Sequence, residues 1–225
     1  MYLYIQEQVK KCDHEIEQML NEQINSNDNK REHYIDRKSH KKVNKNTPKN
    51  IDLNLMSCQY FEGVDLLAIE GVSYSTVLSL MSEVGLDGIK KFSSAKQFAC
   101  WLRLSPNNKI SGGKILSSRI PKGSNRLKIA LRNAANVIGN LKDTPLSDFF
   151  RRINCRKGRS AAISATARKL AVIIWNMIVK NQPYRNDLGY EFLAQKRNRK
   201  VIEAKKIIQK FSINIDELSL NINVV

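Results

Sequence analysis

The sequence predicts a mainly α fold: an N-terminal coiled-coil-like helix, a basic linker, and a compact helical domain holding a helix-hairpin-helix and at most one small β-hairpin. Three observations carry that reading. Apolar residues recur at steps of three and four over much of the chain, which is the helical period. Serine, proline and glycine punctuate the ends of those runs. Only residues 108–116 carry the signal of a tight hairpin.

The composition sets limits on what the chain does. Of its 225 residues 42% are apolar, enough for a folded core. The formal net charge is +17. Self-repulsion of that size adds nothing to a fold, so it implies an anionic partner, with nucleic acid the foremost class. No apolar run of membrane-spanning length and no basic amphipathic anchor is evident, and the start MYLYIQEQVKKCDHE lacks the order of a signal peptide. A cytoplasmic setting without a membrane partner follows as the expectation. Cys12, Cys58, Cys100 and Cys155 are far apart, with no CxxC and no histidine at ligand spacing, so reduced thiols and no metal site are expected.

Residues 2–24 read as one helix whose Ile5, Val9, Cys12, Ile16 and Met19 step by four and three, the a/d pattern of a coiled coil. Either a paired helix or a single amphipathic helix packed on its own domain satisfies that stripe. A paired helix makes the chain a homo-oligomer. Residues 25–52 are polar, basic and almost free of large aliphatics, the composition of a tether. The compact domain then spans 53–185, and 186–225 form a charged helix and tail.

Within the compact domain, residues 64–85 predict a helix, a tight turn at Glu70-Gly71-Val72, and a second helix from Tyr74 to Val84 stopped by Gly85. This pattern resembles a helix-hairpin-helix, which offers hairpin amides and a helix N-terminus to a phosphate. Gly71 and Ser73 are its candidate contacts, Ser73 standing where a second glycine is usual. An αα-hairpin that serves only the core is the competing reading. Residues 92–104 predict a helix capped by Ser93 or Ser94, with Phe98, Trp101, Leu102 and Leu104 toward the core. Residues 124–141 predict a helix with Leu127, Ala130, Leu131, Ala134, Val137 and Ile138 inward and Arg126, Lys128, Arg132 and Asn133 on other faces. Residues 145–158 and 160–181 follow as helices, the second forming the central core, and another helix runs from about Tyr190 to Phe211.

Between Gly88 and Lys142 there is no aspartate or glutamate, while lysines and arginines recur throughout. A solvated surface usually mixes signs, so this stretch suggests a phosphate-binding face. Lys109, Lys114, Arg119, Lys122, Arg126 and Arg132 are its candidate phosphate contacts. In its middle lies Ser111, directly before Gly112 and Gly113. The two glycines fit a two-residue hairpin turn, which pushes Ser111 out and lets a bulky ligand approach the backbone. A serine hydroxyl is a weak nucleophile unaided, and His14, His33 and His40 are remote in sequence. The residues alone leave Ser111 as either a turn serine or a nucleophile.

The glycine hairpin at 69–73, SAKQFACWLRLSPNNKISGGK, GSNRLKIALRNAA and the late ATARKLA together resemble the C-terminal domain of the insertion-sequence 110/1111/116/902 transposases over roughly residues 62–185. The helix YIQEQVKKCDHEIEQML resembles the coiled coil that joins that family's two domains. The resemblance implies a DNA recombinase directed by a structured guide RNA, with Ser111 forming a covalent phosphoserine link to DNA. It further implies an N-terminal RNase H-like domain whose four carboxylates bind magnesium. The first residue falls where that domain should already have ended. The expectation is therefore a truncated copy that binds DNA, holds no cofactor of its own, and does not cut DNA alone.

Overall fold

The computed structural model describes residues 1–26, 41, 43, 47–48, 51–123, 125–184 and 188–211. Along the described residues run α1 (Tyr2–Ser26), α2 (Leu53–Tyr60), α3 (Tyr74–Glu83), α4 (Gly85–Lys90) and α5 (Ala95–Trp101). A hairpin of β1 (Lys109–Ser111) and β2 (Lys114–Ser117) follows, then α6 (Arg126–Asn140), α7 (Pro145–Lys157), α8 (Arg159–Val179) and α9 (Leu188–Phe211). The protein is mainly α, as its sequence predicts. It divides into two units, Met1–Tyr184 and Arg185–Val225. In the second unit α9 exposes Val201, Ile202, Ile207 and Phe211.

The core of the first unit is built around α8, which packs against α5, α6 and α7. Small residues make this possible: Ala162, Ala167 and Ala171 are buried beside Leu170 and Ile174. Although no membrane-spanning run was expected, α8 is long and apolar enough for one by length and composition, yet 56% of that window is buried in the protein. Its apolarity is that of a core helix. α7 starts at Pro145 under a Thr144 cap, whose hydroxyl accepts from the Ser147 N–H while the Ser147 side chain reaches back.

Several elements differ from expectation. Residues 64–70 form no helix of their own. Asp65 accepts from the N–H groups of Leu67 and Ala68 and holds a single 3-10 turn, Leu66–Ala68. The preceding helix is α2, which the chain leaves through the positive φ of Glu62 and Gly63. Gly85 follows the end of α3, which closes at Glu83 with Val84 as its cap, and takes the positive φ of a helix stop; what the sequence did not suggest is that α4 begins at the same residue. α5 is capped by Ser94 and ends at Trp101. Because the chain turns there, Leu102 and Leu104 take the core positions and Trp101 stays 43% exposed, stacked on buried Phe98. On α6 the buried face passes through Ala135, which leaves Val137 exposed and takes Lys128 in, at 6% exposure.

The stripe of α1 is divided between two fates. Leu20 and Ile24 are buried, Ile16 packs on the core, and α1 lies against α2. Ile5, Val9, Cys12 and Met19 are exposed. Most of the expected linker at 25–52, and residues 212–225 of the expected tail, lie outside the described residues.

α6 and α7 approach closely because Gly139 has no side chain: a Cβ there would lie 2.6 Å from Cζ of Phe150, whose ring is buried. Gly139→Ala therefore overpacks the joint by about 1–3 kcal/mol. That exceeds the ~1 kcal/mol that alanine gains in a helix. Thermal unfolding followed by circular dichroism is expected to show a lowered Tm.

Candidate nucleic-acid interface

Ser111 stands at the end of β1, paired across the hairpin with Lys114, while Ile110 pairs with Ile115 and Lys109 with Ser117. Gly112 and Gly113 close the turn with φ of 54° and 73°, the left-handed conformation that a two-residue turn matching strand twist demands at both positions. Nothing lies within 4 Å of where either Cβ would be. Lys109, Ser111, Gly112, Gly113 and Lys114 are all exposed. Directly paired residues share a face, with Cβ atoms roughly 5 Å apart, so the Lys114 side chain leaves the strand beside that of Ser111.

The arm is fixed at its foot. The Asn107 N–H donates to the Arg119 carbonyl at 3.0 Å, tying its two legs together. Below that, Arg103 donates from Nη1 to the Lys122 carbonyl and Lys128 from Nζ to the Gly123 carbonyl, both at 2.7 Å. Two cations on the body thus hold two successive carbonyls of the returning leg. Gly123 takes a φ of 98°, and a Cβ there would fall 1.9 Å from Nη1 of Arg103, so a side chain at this position would displace that guanidinium. Burial lowers the proton affinity of Lys128, and Arg132 and Arg103 lower it further.

Beside this foot opens a cleft of about 1530 Å³ between the leg 118–123, α6, α7 and α8. Arg119 and Lys122 enter it from the leg, Lys128 and Arg132 from α6, Arg156 and Lys157 from α7, and Arg168 and Lys169 from α8. No acid lines it. Arg132 is held by a 2.7 Å bond to the Ser164 hydroxyl. Lys169 lies 4.6 Å from the centroid of the Phe149 ring, and burial followed by the charge of Arg152 lowers its proton affinity. Four of these cations, Arg156, Lys157, Arg168 and Lys169, lie beyond the acid-free stretch and were not among the sequence candidates. The basic run RRINCRKGRS and the Arg168-Lys169 pair in an apolar helix were the available signals.

The remaining candidates sit elsewhere. Gly71, Ser73 and Arg126 line a second groove of about 820 Å³ that also contains Glu70. Gly71 turns toward α6, where its Cβ would come within 2.6 Å of Ile138 and 2.8 Å of the Ala134 carbonyl, so its lack of a side chain serves helix packing. The Ser73 hydroxyl makes no cap bond and lies 3.0 Å from that of Ser75. Tyr184 donates to the Glu70 carboxylate, Lys41 donates to the Ile69 carbonyl, and Arg126 is 3.9 Å from Glu83. Burial, then the bond to Glu70, pushes the Tyr184 phenol up. Ile129 borders both grooves, which therefore adjoin across α6. The structure thus distributes the sequence candidates over an arm, a cleft and a groove.

Among the described residues no three His, Cys, Asp or Glu side chains come together to hold a metal. These residues do not fit a metal centre.

Comparison with known proteins finds likeness to transposases over part of the chain. Residues 65–151 match the model of the Transposase IS116/IS110/IS902 family. It is 29% identical over 122 residues to the transposase for insertion sequence element IS1111A of Coxiella burnetii, covering 52% of this chain and 33% of that protein. It is 27% identical over 124 residues to a probable family 20 transposase of Pseudomonas aeruginosa, covering 53% of this chain and 36% of that one. The matched part thus spans about a third of each relative's length. No solved structure matches.

Two predictions concern the arm. Gly123→Ala displaces the Arg103 guanidinium, so trypsin cleavage at Lys109, Lys114 and Arg119 is expected to accelerate several-fold while the helical circular dichroism signal is kept. The second concerns pH. Lys128 has a folded-state proton affinity below the ordinary 10.5, so the unfolded chain binds more protons in the window just under pH 10.5. Stability of the native protein relative to Lys128→Met should accordingly rise as pH climbs through that window, as measured by urea unfolding at a series of alkaline pH values.

Proposed function

We propose that the chain is the DNA-engaging part of a transposase or recombinase of this family, and that Ser111 is its nucleophile. The observation that carries this reading is an exposed hydroxyl at the apex of a two-residue turn, paired with Lys114 on an arm without acids. In the step proposed, Ser111 Oγ forms a bond to phosphorus and the bond from phosphorus to a sugar oxygen breaks. The hydroxyl proton passes to solvent water and the departing sugar oxygen gains one, for which the Lys114 ammonium is a suitable donor. Lys109 and Lys114 neutralise charge that builds on the phosphoryl oxygens. Arg119, Lys122 and Arg132, with the further cleft cations, hold backbone phosphates, which position DNA without reading its bases.

Magnesium and its carboxylates belong, in this reading, to a separate RNase H-like domain, and this chain alone does not cleave DNA. A structured guide RNA is a further partner by resemblance. The exposed part of the α1 stripe supports pairing of two copies through that helix. A second reading, a non-enzymatic helix-hairpin-helix module, is supported by Ser73 at the N-terminus of α3 in an open groove. Against it stand the inward Gly71 and the Glu70 carboxylate in the same groove.

Supplying an RNase H-like transposase domain in trans, with magnesium and a supercoiled plasmid, separates the two readings. Covalent protein–DNA adducts are expected, and Ser111→Ala should abolish them while changing DNA affinity less than about threefold. Adducts that survive the substitution defeat the nucleophile assignment. For pairing through α1, Cys12 lies on the seam and should cross-link to its copy under mild oxidation, giving a dimer on non-reducing gels that Cys12→Ser removes.

A further inference from the structure

The arm and the cleft have different chemistry. The arm offers a phosphodiester cations, a hydroxyl and bare backbone on a projecting hairpin, where the exposed Ile110 and Leu116 line no pocket with them. The cleft joins its cations to an apolar lining: Ile120 and Pro121 of the leg, Ile129 of α6, Ile153 of α7 and Val172 of α8. Ile129 is 50% exposed there. Charges alone suit any polyanion, but charges around an apolar floor suit one whose hydrophobic faces are also free.

A B-form duplex does not meet that description. Its bases are stacked inward, and it presents phosphates, sugars and groove edges to a protein. An unpaired strand presents phosphates on one side and the flat faces of its bases on the other, and proteins that hold such strands combine a basic track with apolar or aromatic surface.

The electrostatics of the cleft point the same way. None of the ion pairs among the described residues involves a cleft cation. The groups that do hold them are neutral: the Gly123 carbonyl for Lys128, the Ser164 hydroxyl for Arg132, and the Phe149 ring for Lys169. These partners fix the side chains in place and leave their charge uncompensated. Burial first, and then the like charges of Arg132 and Arg103, lower the proton affinity of Lys128, and phosphates in the cleft would relieve the like-charge part.

We infer that the cleft between the arm's foot, α6, α7 and α8 is a binding site for an unpaired nucleic-acid strand, its phosphates on Arg119, Arg156, Lys157 and Arg168 and its bases against the floor at Ile129, Pro121 and Ile153. This inference rests on the nucleic-acid reading above and deepens it. It separates two tasks: a single strand is gripped in the cleft, and a phosphodiester is presented to the arm.

The test is fluorescence anisotropy of the full chain with labelled oligonucleotides of about 12 nucleotides, within the range such sites cover. Single-stranded DNA, single-stranded RNA and the matching blunt duplex are titrated at several salt concentrations. Single strands are expected to bind at least tenfold more tightly than the duplex, and the ratio of the DNA and RNA affinities identifies which strand is the natural occupant. Arg168→Glu should weaken single-strand binding about tenfold and reduce the salt slope by about 0.7, the value for one phosphate on a single strand. Ile129→Ser, at an exposed position, should weaken it about fivefold and leave the salt slope unchanged. Equal affinity for the duplex, no effect of Ile129→Ser, or equal displacement of the strand by polyglutamate would each overturn the cleft assignment while leaving backbone binding intact. Failure to bind any oligonucleotide at low salt overturns the nucleic-acid reading itself.

Discussion

The packing of α6 is the constraint on which the rest of this structure depends. Leu127, Leu131, Ala134, Ala135 and Ile138 are buried along one side, and α3, α7 and α8 all pack on the helix. Two glycines from different neighbourhoods allow that density. Gly71 brings the turn before α3 onto the Ala134 carbonyl, and Gly139 admits the Phe150 ring. Burying these side chains contributes roughly 1.5–3 kcal/mol for each large aliphatic, and no other helix contributes surface to both grooves. Movement of α6 would therefore alter core and binding surface together.

The charge distribution follows from this arrangement. Because α6 is wedged between partners, Lys128 and Arg132 do not splay into water as Arg126 does at its first residue. Lys128 is drawn under the arm's foot and Arg132 is drawn to Ser164. A cation placed that way costs desolvation energy that a carbonyl or hydroxyl only partly offsets. The fold holds positive charge at a fixed place near the root of the β1–β2 hairpin, and a polyanion bound there would lower the energy of the whole assembly. High salt should screen the exposed members of the set and spare the buried ones.

Much of the architecture was legible because local rules and tertiary structure agree. Ser94, Thr144 and Pro145 start helices where their chemistry says they should, and Gly112-Gly113 folds the hairpin at the position its spacing indicates. The misreadings arise where a long-range partner decides. Lys128 reads as a surface residue on a helical wheel, and only the carbonyl of a loop five residues upstream makes its burial tolerable. Trp101 reads as core, but the helix ends beneath it and Leu102 and Leu104 fill the space. At Gly71 the turn suggests a phosphate contact, and a long-range partner adds a packing role that the turn does not show. The side chain of Ile138, 67 positions along the sequence, is what occupies the space it leaves. Arg156 and Arg168 join Arg119 in one cleft through the pairing of α7 with α8, which periodicity cannot reveal.

The separation of arm from cleft bears on how a reaction at Ser111 could be controlled. A hydroxyl on a glycine turn with nothing within 4 Å of either glycine is accessible but poorly preorganised, and positioning is a large share of catalytic power. The arm's foot, by contrast, is tied by three hydrogen bonds to main-chain carbonyls at Arg119, Lys122 and Gly123. Two of the donors, Arg103 and Lys128, belong to the body that also forms the cleft floor. A strand seated in the cleft meets Arg119 and Lys122 on the same leg whose carbonyls those donors hold. In the proposed arrangement, occupancy of the cleft and the pose of the arm would be linked through one short stretch of backbone, residues 119–123. A nucleophile whose alignment depends on that stretch would attack only when the strand is already in place, which is the order of events that keeps a strand-transferring protein from attaching to DNA at random.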